Sequence, residues 1–250
     1  MRRLLPCLAV PLLLATTASG GAGLPPETAA RLASALDSLR SPAVAGYTMT
    51  VKVTVAKPNG SAREDHLEVM KATRAADGTL VHEVVRSLEN GKDVTDTRRA
   101  EQSKRESRND RKADDEKSSE KKEVGISASL RLPLGDDARL FAFTPAASGG
   151  PHAVAFAPLP AHADDEGLAR GTLAWDPTTL DPLWLEAEPV VMPDHVSAMK
   201  MRFEFARAGE LVYPRRTVTD GTGGFLWIKR TFHMDMEVAD VVAAPPSPAP

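Results

Sequence analysis

Residues with acid–base or metal-binding side chains are scattered through the sequence. The six histidines show no HExxH or HxH spacing, the arrangements that place two imidazoles on one metal ion. His66 and His82 fall on neighbouring predicted strands, where they could form a two-histidine site. The segment HADDE (162–166) adds one histidine and three carboxylates within five residues. These groups support a metal-dependent hydrolase as one hypothesis; the alternative is that they are solvent-exposed surface groups.

The sequence has no recognisable nucleophile motif or phosphate-binding loop. No G-x-S-x-G elbow is present. Glu186 and Glu188 share one face of a predicted strand, as a glycosidase pair could, but the solvent faces of strands commonly carry such residues. The glycines of GTGG (221–224) precede no helix, so they predict a hairpin turn. We therefore expect a protein that is not an enzyme, with no catalytic residues, no metal and no cofactor.

Length, charge and cysteine content exclude several classes of protein. The 250 residues carry a formal net charge of −3, which gives no electrostatic attraction to nucleic acid. The basic start MRR, the apolar run that follows and the small residues up to Ala22 predict a signal peptide over 1–22. Since Cys7 is the single cysteine, the mature chain would have no thiol and no disulfide. The predicted location is the periplasm.

Hydrophobic periodicity predicts a mainly β fold (α+β) that begins with one helix. An amphipathic pattern over 25–42 predicts the helix, and Pro42 ends it. From Tyr47 onward, apolar and polar residues alternate in segments separated by Gly and Pro turns, which predicts antiparallel strands. The pattern shows no strand–helix–strand alternation, so we do not expect a parallel sheet. We expect one domain over 23–242 and a disordered Pro-rich tail over 243–250.

A highly charged segment interrupts the strands at 92–123. It contains eleven basic and ten acidic side chains and almost no apolar ones, so it cannot bury enough surface to order itself as a packed element. We expect a solvated, mobile insertion or a charged helix that projects from the sheet. A functional alternative is an arm that docks an envelope protein.

The apolar positions of the predicted strands form one continuous side of the sheet that is rich in methionine. Methionine is flexible and polarisable, so it suits surfaces that adapt to variable apolar ligands. The alternative is an ordinary core packed by the N-terminal helix. The residues predicted to line an apolar cavity are Met49, Val51, Val53, Leu67, Val69, Trp175, Met199, Met201, Phe203, Phe205, Trp227, Met234 and Met236.

One hairpin and the closing strands carry a resemblance to a known family. The hairpin residues are Gly171, Trp175, Asp176, Pro177, Thr179, Pro182, Leu183, Leu185 and Glu186, and the closing strands read VYPRRTVTDGTGGFLWIKRTFHMDMEVAD (212–240). With the signal peptide and the N-terminal helix, this arrangement resembles the LolA/LolB-like superfamily of periplasmic lipoprotein-sorting and lipid-binding proteins.

The resemblance implies an incomplete antiparallel β-barrel, a strongly curved sheet whose open side is plugged by helices around an apolar cavity for acyl chains. It also implies that the hairpin forms one wall of the barrel. The function we expect is a carrier of an acyl-chain-bearing molecule, either a lipid or a lipoprotein. The alternative is a non-catalytic structural or interaction protein of the cell envelope, whose interior is filled by its own side chains.

Overall fold

The structure is a computed structural model that describes residues 23–104, 130–147, 152–225 and 228–244. The predicted mainly β class is confirmed, because one open antiparallel sheet of eleven strands makes up most of this part of the chain. The predicted signal peptide over 1–22 lies outside the described residues.

The described elements are two α-helices, three short 3-10 helices and eleven strands. The α-helices are α1 (Pro26–Asp37) and α2 (95–104), and the 3-10 helices are Ser38–Arg40, Gly135–Leu140 and Pro160–His162. The strands are β1 (Val44–Ala56), β2 (Glu64–Arg74), β3 (Leu80–Glu89), β4 (Lys92–Asp93), β5 (Phe141–Pro145), β6 (Ala153–Pro158), β7 (Ala169–Trp175), β8 (Pro182–Pro189), β9 (Val196–Ala208), β10 (Leu211–Phe225) and β11 (Ile228–Ala243).

Two antiparallel meanders join to form the sheet. Its strand order is β4-β3-β2-β1-β11-β10-β9-β8-β7-β6-β5. The first meander is formed by β1 to β4 and the second by β5 to β11. Their inner strands, β1 and β11, pair along almost their whole length, from Val44 opposite Ala243 to Ala56 opposite Thr231. This central pairing brings the two ends of the described chain together and fixes the register between the two halves.

Helix α1 packs over one half of the sheet. It contacts mainly β10 and β8, and Leu32 and Ala35 on its inner side are fully buried. Leu32 belongs to a core cluster that includes Leu168, Leu173 and Leu185, none of which has any appreciable exposed area. The space between α1 and strands β5–β9 is therefore filled by the protein's own side chains.

The turn between β7 and β8 is organised by Asp176. Its Oδ1 accepts hydrogen bonds from the backbone N–H groups of Thr178 and Thr179, both at 2.8 Å. These bonds lower the pKa of the Asp176 carboxyl below its ordinary value, the bond from Thr179 most strongly. Leu180 takes a positive φ of 59°, and its side chain packs against the core under α1. Side-chain hydrogen bonds of this kind are the reason that Asp is favoured at the start of turns.

The same turn ties helix α1 to strand β9 through Asp181. Arg31 of α1 donates to Asp181 Oδ1 at 2.8 Å, and Arg207 of β9 donates from Nε and Nη2 to Oδ2 at 3.0 and 2.6 Å. The Asp181 side chain is only 12% exposed. A buried carboxylate is tolerated when cations satisfy both oxygens, as they do here. Asp181 therefore fixes where α1 lies on the sheet.

The glycines of GTGG lie inside strand β10, so the predicted turn at 221–224 is wrong. Strand β10 continues to Phe225, which pairs with Ile228 of β11. The glycines make room for close contacts instead. A Cβ on Gly221 would lie 2.1 Å from Cζ of the Phe232 ring, and one on Gly223 would lie 2.7 Å from the carbonyl oxygen of His195. Glycine within a strand often marks such a close approach.

The sequence predicts that the charged segment leaves the sheet at residue 92. In the structure its first residues remain packed at the edge of the sheet. Residues 92–93 form β4, and α2 follows along the edge of β3. Arg99 donates to the carbonyl oxygens of Val84 and Val85, and Gln102 donates to that of His82. These side chains satisfy edge carbonyls that would otherwise be free to pair with another chain. The rest of the predicted insertion, 105–123, lies outside the described residues.

Arg131 forms a single isolated bridge to Leu168, outside the eleven strands. One other predicted boundary changes. The predicted Pro-rich tail starts at residue 243, but Ala243 is still the last residue of β11. None of the described helices is long and apolar enough to cross a membrane.

The Asp181 contacts predict a measurable loss of stability on mutation. Asp181→Ala should lower the free energy of unfolding by about 1–3 kcal/mol, since it leaves two guanidinium groups without their shared acceptor. Urea unfolding followed by tryptophan fluorescence measures this change. Glu210→Ala is the matched control, because Glu210 also faces Arg207 but is fully exposed, and it should cost less than about 0.5 kcal/mol. Equal losses for the two variants would contradict the role of Asp181.

The Gly221–Phe232 contact predicts coupling between the two positions. Gly221→Ala should destabilise the protein, because its methyl group would overlap the Phe232 ring. In the double variant Gly221→Ala/Phe232→Ala that overlap is removed, so the two single losses should not add, with a coupling of about 1 kcal/mol. Thermal or urea unfolding of the four proteins measures it. Strict additivity would show that the ring does not occupy this space.

Candidate functional site: the apolar face of the central strands

The register of the central strands divides their residues between two faces. Residues directly opposite each other in antiparallel strands share a face. Val51 of β1 lies opposite Met236 of β11, and Val53 lies opposite Met234. The residue between them, Lys52, lies opposite Asp235. We call the side with Val51 and Met236 the apolar face and the side with Lys52 and Asp235 the polar face.

Half-buried apolar side chains form a continuous strip on the apolar face of β2, β1 and β11. We call this set the apolar strip. Five of its members were predicted as lining residues, and Met70 of β2, opposite Met49, joins them. None reaches the burial of a core residue, although all are apolar. The strip consists of Met49, Val51, Val53, Met70, Met234 and Met236.

The predicted lining residues of strand β9 continue the same face into the core. Met199, Met201 and Phe205 are buried, and Phe203 is half-buried. Trp175 of β7 is also buried, in the cluster that packs under α1. The structure therefore brings these side chains onto the face of the strip. Phe203, Phe205 and Trp175 belong to the core cluster under α1 or pack against it, whereas the strip lies beside that cluster.

Two predicted lining residues lie on the wrong face. Leu67 is opposite Lys52, and Val69 is opposite Thr50, so both project from the polar face. The prediction that they share a cavity with Val51 is therefore wrong. Trp227, also predicted to line the cavity, lies outside the described residues.

Strand β10 contributes two residues that the sequence did not single out. Thr217 lies between Phe203 and Met236, and Thr219 lies between Met201 and Met234. Both are buried, and the Thr217 hydroxyl has no hydrogen-bond partner among the described residues. Threonine is a polar residue, so the sequence alone does not predict that these two belong to the apolar face. The pairing of β9, β10 and β11 shows that both lie between apolar neighbours.

Ion pairs join neighbouring strands on the polar face. Glu186 of β8 accepts from Lys200 and Arg202 of β9, each at 2.7 Å. These hydrogen bonds, led by that from Lys200, lower the pKa of the Glu186 carboxyl below its ordinary value. Arg202 also lies over the Trp184 ring, with its Cζ 5.3 Å from the ring centroid. Glu186 therefore pairs with cations of β9, and Glu188 pairs with Arg170 of β7.

An open cleft of about 530 Å³ is lined mostly by residues of the polar face, and also by Met199, Gly221 and Phe232 of the apolar face. Thr54, Lys200, Asp220 and His233 line it, and these residues alternate along their strands with those of the apolar face. Of the predicted lining residues, the cleft touches Met199. This cleft is therefore not the apolar cavity that the sequence predicts.

The predicted two-histidine site is not assembled. His66 is paired with Glu89, whereas His82 is opposite Ala72, six residues further along β2. At about 3.3 Å per residue, that offset is roughly 20 Å, far beyond the reach of a shared metal ion. His162 contacts Asp165 of its own segment at 2.9 Å. Among the described residues, no group of three or more His, Cys, Asp or Glu side chains is arranged to hold a metal.

The chain gives no match to protein-family models, to curated proteins or to solved structures. The family resemblance drawn from the hairpin and the closing strands therefore stays a prediction. The functional argument depends on the apolar strip and its surroundings.

The Arg216–Asp235 pair on the polar face predicts a specific dependence of stability on pH. Arg216 donates to both oxygens of Asp235 at 2.9 Å, and these bonds lower the pKa of that carboxyl. A lowered pKa in the folded protein stabilises it above the ordinary carboxyl pKa of about 4, and that stabilisation is lost as the pH falls through the lowered value.

Asp235→Asn should therefore lower the free energy of unfolding by about 0.5–1 kcal/mol at pH 7, and the difference from wild type should shrink as the pH falls below the ordinary carboxyl pKa of about 4. Urea unfolding across this pH range provides the measurement. The control is Asp96→Asn, which alters a fully exposed carboxylate and should change little at either pH. A difference that persists unchanged in acid would show that the carboxylate charge is not involved.

Proposed function

We propose that the protein is a non-catalytic periplasmic carrier that holds the acyl chain of a lipid or lipoprotein against the apolar strip. In this proposal the sheet curves as an incomplete barrel, with α1 closing one half of the concave side and the ligand occupying the other. The expected resemblance to LolA/LolB-like lipid-binding proteins belongs to the same proposal.

The observation that carries the proposal is the partial exposure of the apolar strip. Its six side chains are adjacent across three strands, and each is half-buried. Contiguous apolar surface on a soluble protein commonly marks a binding site. At about 25 cal/mol per Å², covering a few hundred Å² with an acyl chain would contribute roughly 5–10 kcal/mol before ordering costs.

The composition of the strip favours a flexible apolar ligand. Four of its six members are methionines. Their unbranched side chains adapt to different ligand shapes, whereas Val51 and Val53 are stiff at χ1. A surface built mainly from methionine therefore suits acyl chains that differ in length and unsaturation.

The position of α1 explains why the ligand would lie over β2, β1 and β11. The helix is tied to Asp181 and contacts mainly β8 and β10. The core beneath it contains fully buried leucines such as Leu32 and Leu185. That half has no room for a ligand, and a second buried cluster with Val44, Tyr47 and Val238 packs against Met49 at one end of the strip. The remainder of the strip is therefore the apolar surface left for a ligand.

Binding of a fluorescent fatty acid tests the proposal. Met236→Gln keeps a side chain of similar length but places a polar amide in the strip. It should weaken binding by about five- to thirtyfold, which corresponds to about 1–2 kcal/mol. Titration with an environment-sensitive fatty acid, at concentrations below micelle formation, measures the dissociation constant.

Glu237→Gln is the matched control, because Glu237 is the next residue on β11 and lies on the polar face, opposite Thr50. It should bind the fatty acid as wild type does. Two results would sink the carrier proposal: no binding by the folded wild-type protein, or equal affinities for the two variants. Either result would favour the envelope structural protein with a filled interior.

A further inference from the structure

Polar side chains on strand β2 border the apolar strip, and one of them is the carboxylate of Glu68. On the apolar face, Val51 of β1 lies opposite Glu68 of β2, and Val53 lies opposite His66. One strand further on, Glu68 lies opposite Ser87 and His66 opposite Glu89. Directly opposite residues in antiparallel strands have Cβ atoms about 5 Å apart. The polar groups are therefore in contact range of the strip.

Glu68 is the member of this border that makes no hydrogen bond. It is half-buried, and among the described residues its carboxylate interacts with Arg98 through charge alone. Its neighbours across the strands are a valine and a buried serine. A carboxylate that loses part of its hydration beside apolar groups is stabilised when a cation approaches it.

The charges around Glu68 add up to an excess of negative charge. Arg98 of α2 donates to Glu101 at 3.0 Å and to Glu89 at 2.8 Å. The hydrogen bond that Arg98 donates to Glu101 raises the pKa of Arg98, and the charges of Glu89 and Glu68 also raise it. Three carboxylates, those of Glu68, Glu89 and Glu101, therefore surround the single guanidinium of Arg98. We call Glu68, Glu89, Glu101 and Arg98 the acidic border.

We propose that the site selects amphiphiles with a cationic head group, the acyl chain lying on the apolar strip and the head group meeting Glu68 at the acidic border. This inference rests on the proposed function, since it names the ligand class for the same site. A primary ammonium group fits the chemistry, because it combines a positive charge with N–H groups that can donate hydrogen bonds to the Glu68 carboxylate. A carboxylate or phosphate head group would meet like charge at this position.

The test uses three probes with one chain length and three head-group charges. Dodecylamine (cationic at pH 7), dodecanoate (anionic) and dodecanol (neutral) compete with a neutral fluorescent acyl probe on the full chain, below micelle formation. The amine should compete about three- to tenfold better than dodecanoate, as expected when the two charges of a pair are partly exposed to solvent.

Glu68→Gln should reduce this preference about threefold or more, since the replacement keeps the shape of the side chain and removes its charge. Glu237→Gln, which removes a carboxylate from the polar face of β11, should leave the preference unchanged. If Glu68→Gln does not fold, the wild-type preference for the amine should still fall as salt is raised from 0.05 to about 0.5 M, because screening weakens exposed charge pairs.

The possible outcomes separate this inference from the proposed function. If all three probes compete equally, or if dodecanoate competes best, head-group selection is wrong while acyl binding stands. The same conclusion follows if Glu237→Gln changes the preference as much as Glu68→Gln does. If none of the probes competes and the fluorescent acyl probe does not bind, the proposed function fails, and head-group selection fails with it.

Discussion

The pairing of β1 with β11 is the constraint on which the rest of this structure depends. It joins two meanders from opposite ends of the described chain into one sheet. Its register places Val51 beside Met236 and Lys52 beside Asp235, so a slip of one residue would exchange the two faces. Both the apolar strip and the ion pairs of the polar face follow from this one alignment.

The two faces are held by different interactions, and this difference shapes the proposed site. On the polar face, Glu186 and Asp235 bind cations of neighbouring strands, which stabilises the register without filling space. On the apolar face, α1 fills only the half to which Asp181 ties it. The strip and its acidic border lie on the other half, where apolar side chains and the half-buried carboxylate of Glu68 are close together.

The sequence predicted those strands in which one parity is clearly apolar, such as β9 and the second half of β11. It failed in β2, because Leu67 and Val69 have one parity while Met70 and Ala72 have the other, and only the partner Met49 decides between them. It also failed at Gly221, where a glycine that makes room for Phe232 looks the same as a turn glycine. The acidic border was not predicted, since it forms from β2, β3 and α2 only after folding.

The most direct measurement of the central claim is the rate of methionine oxidation by hydrogen peroxide, residue by residue, with and without an acyl ligand. Oxidation follows the exposure of the thioether sulfur. Met49, Met70, Met234 and Met236 of the apolar strip should oxidise faster than the buried Met199 and Met201, and dodecylamine should slow the strip residues alone. If all six methionines oxidised equally slowly without ligand, the protein would cover its own apolar face. That result would contradict the carrier account.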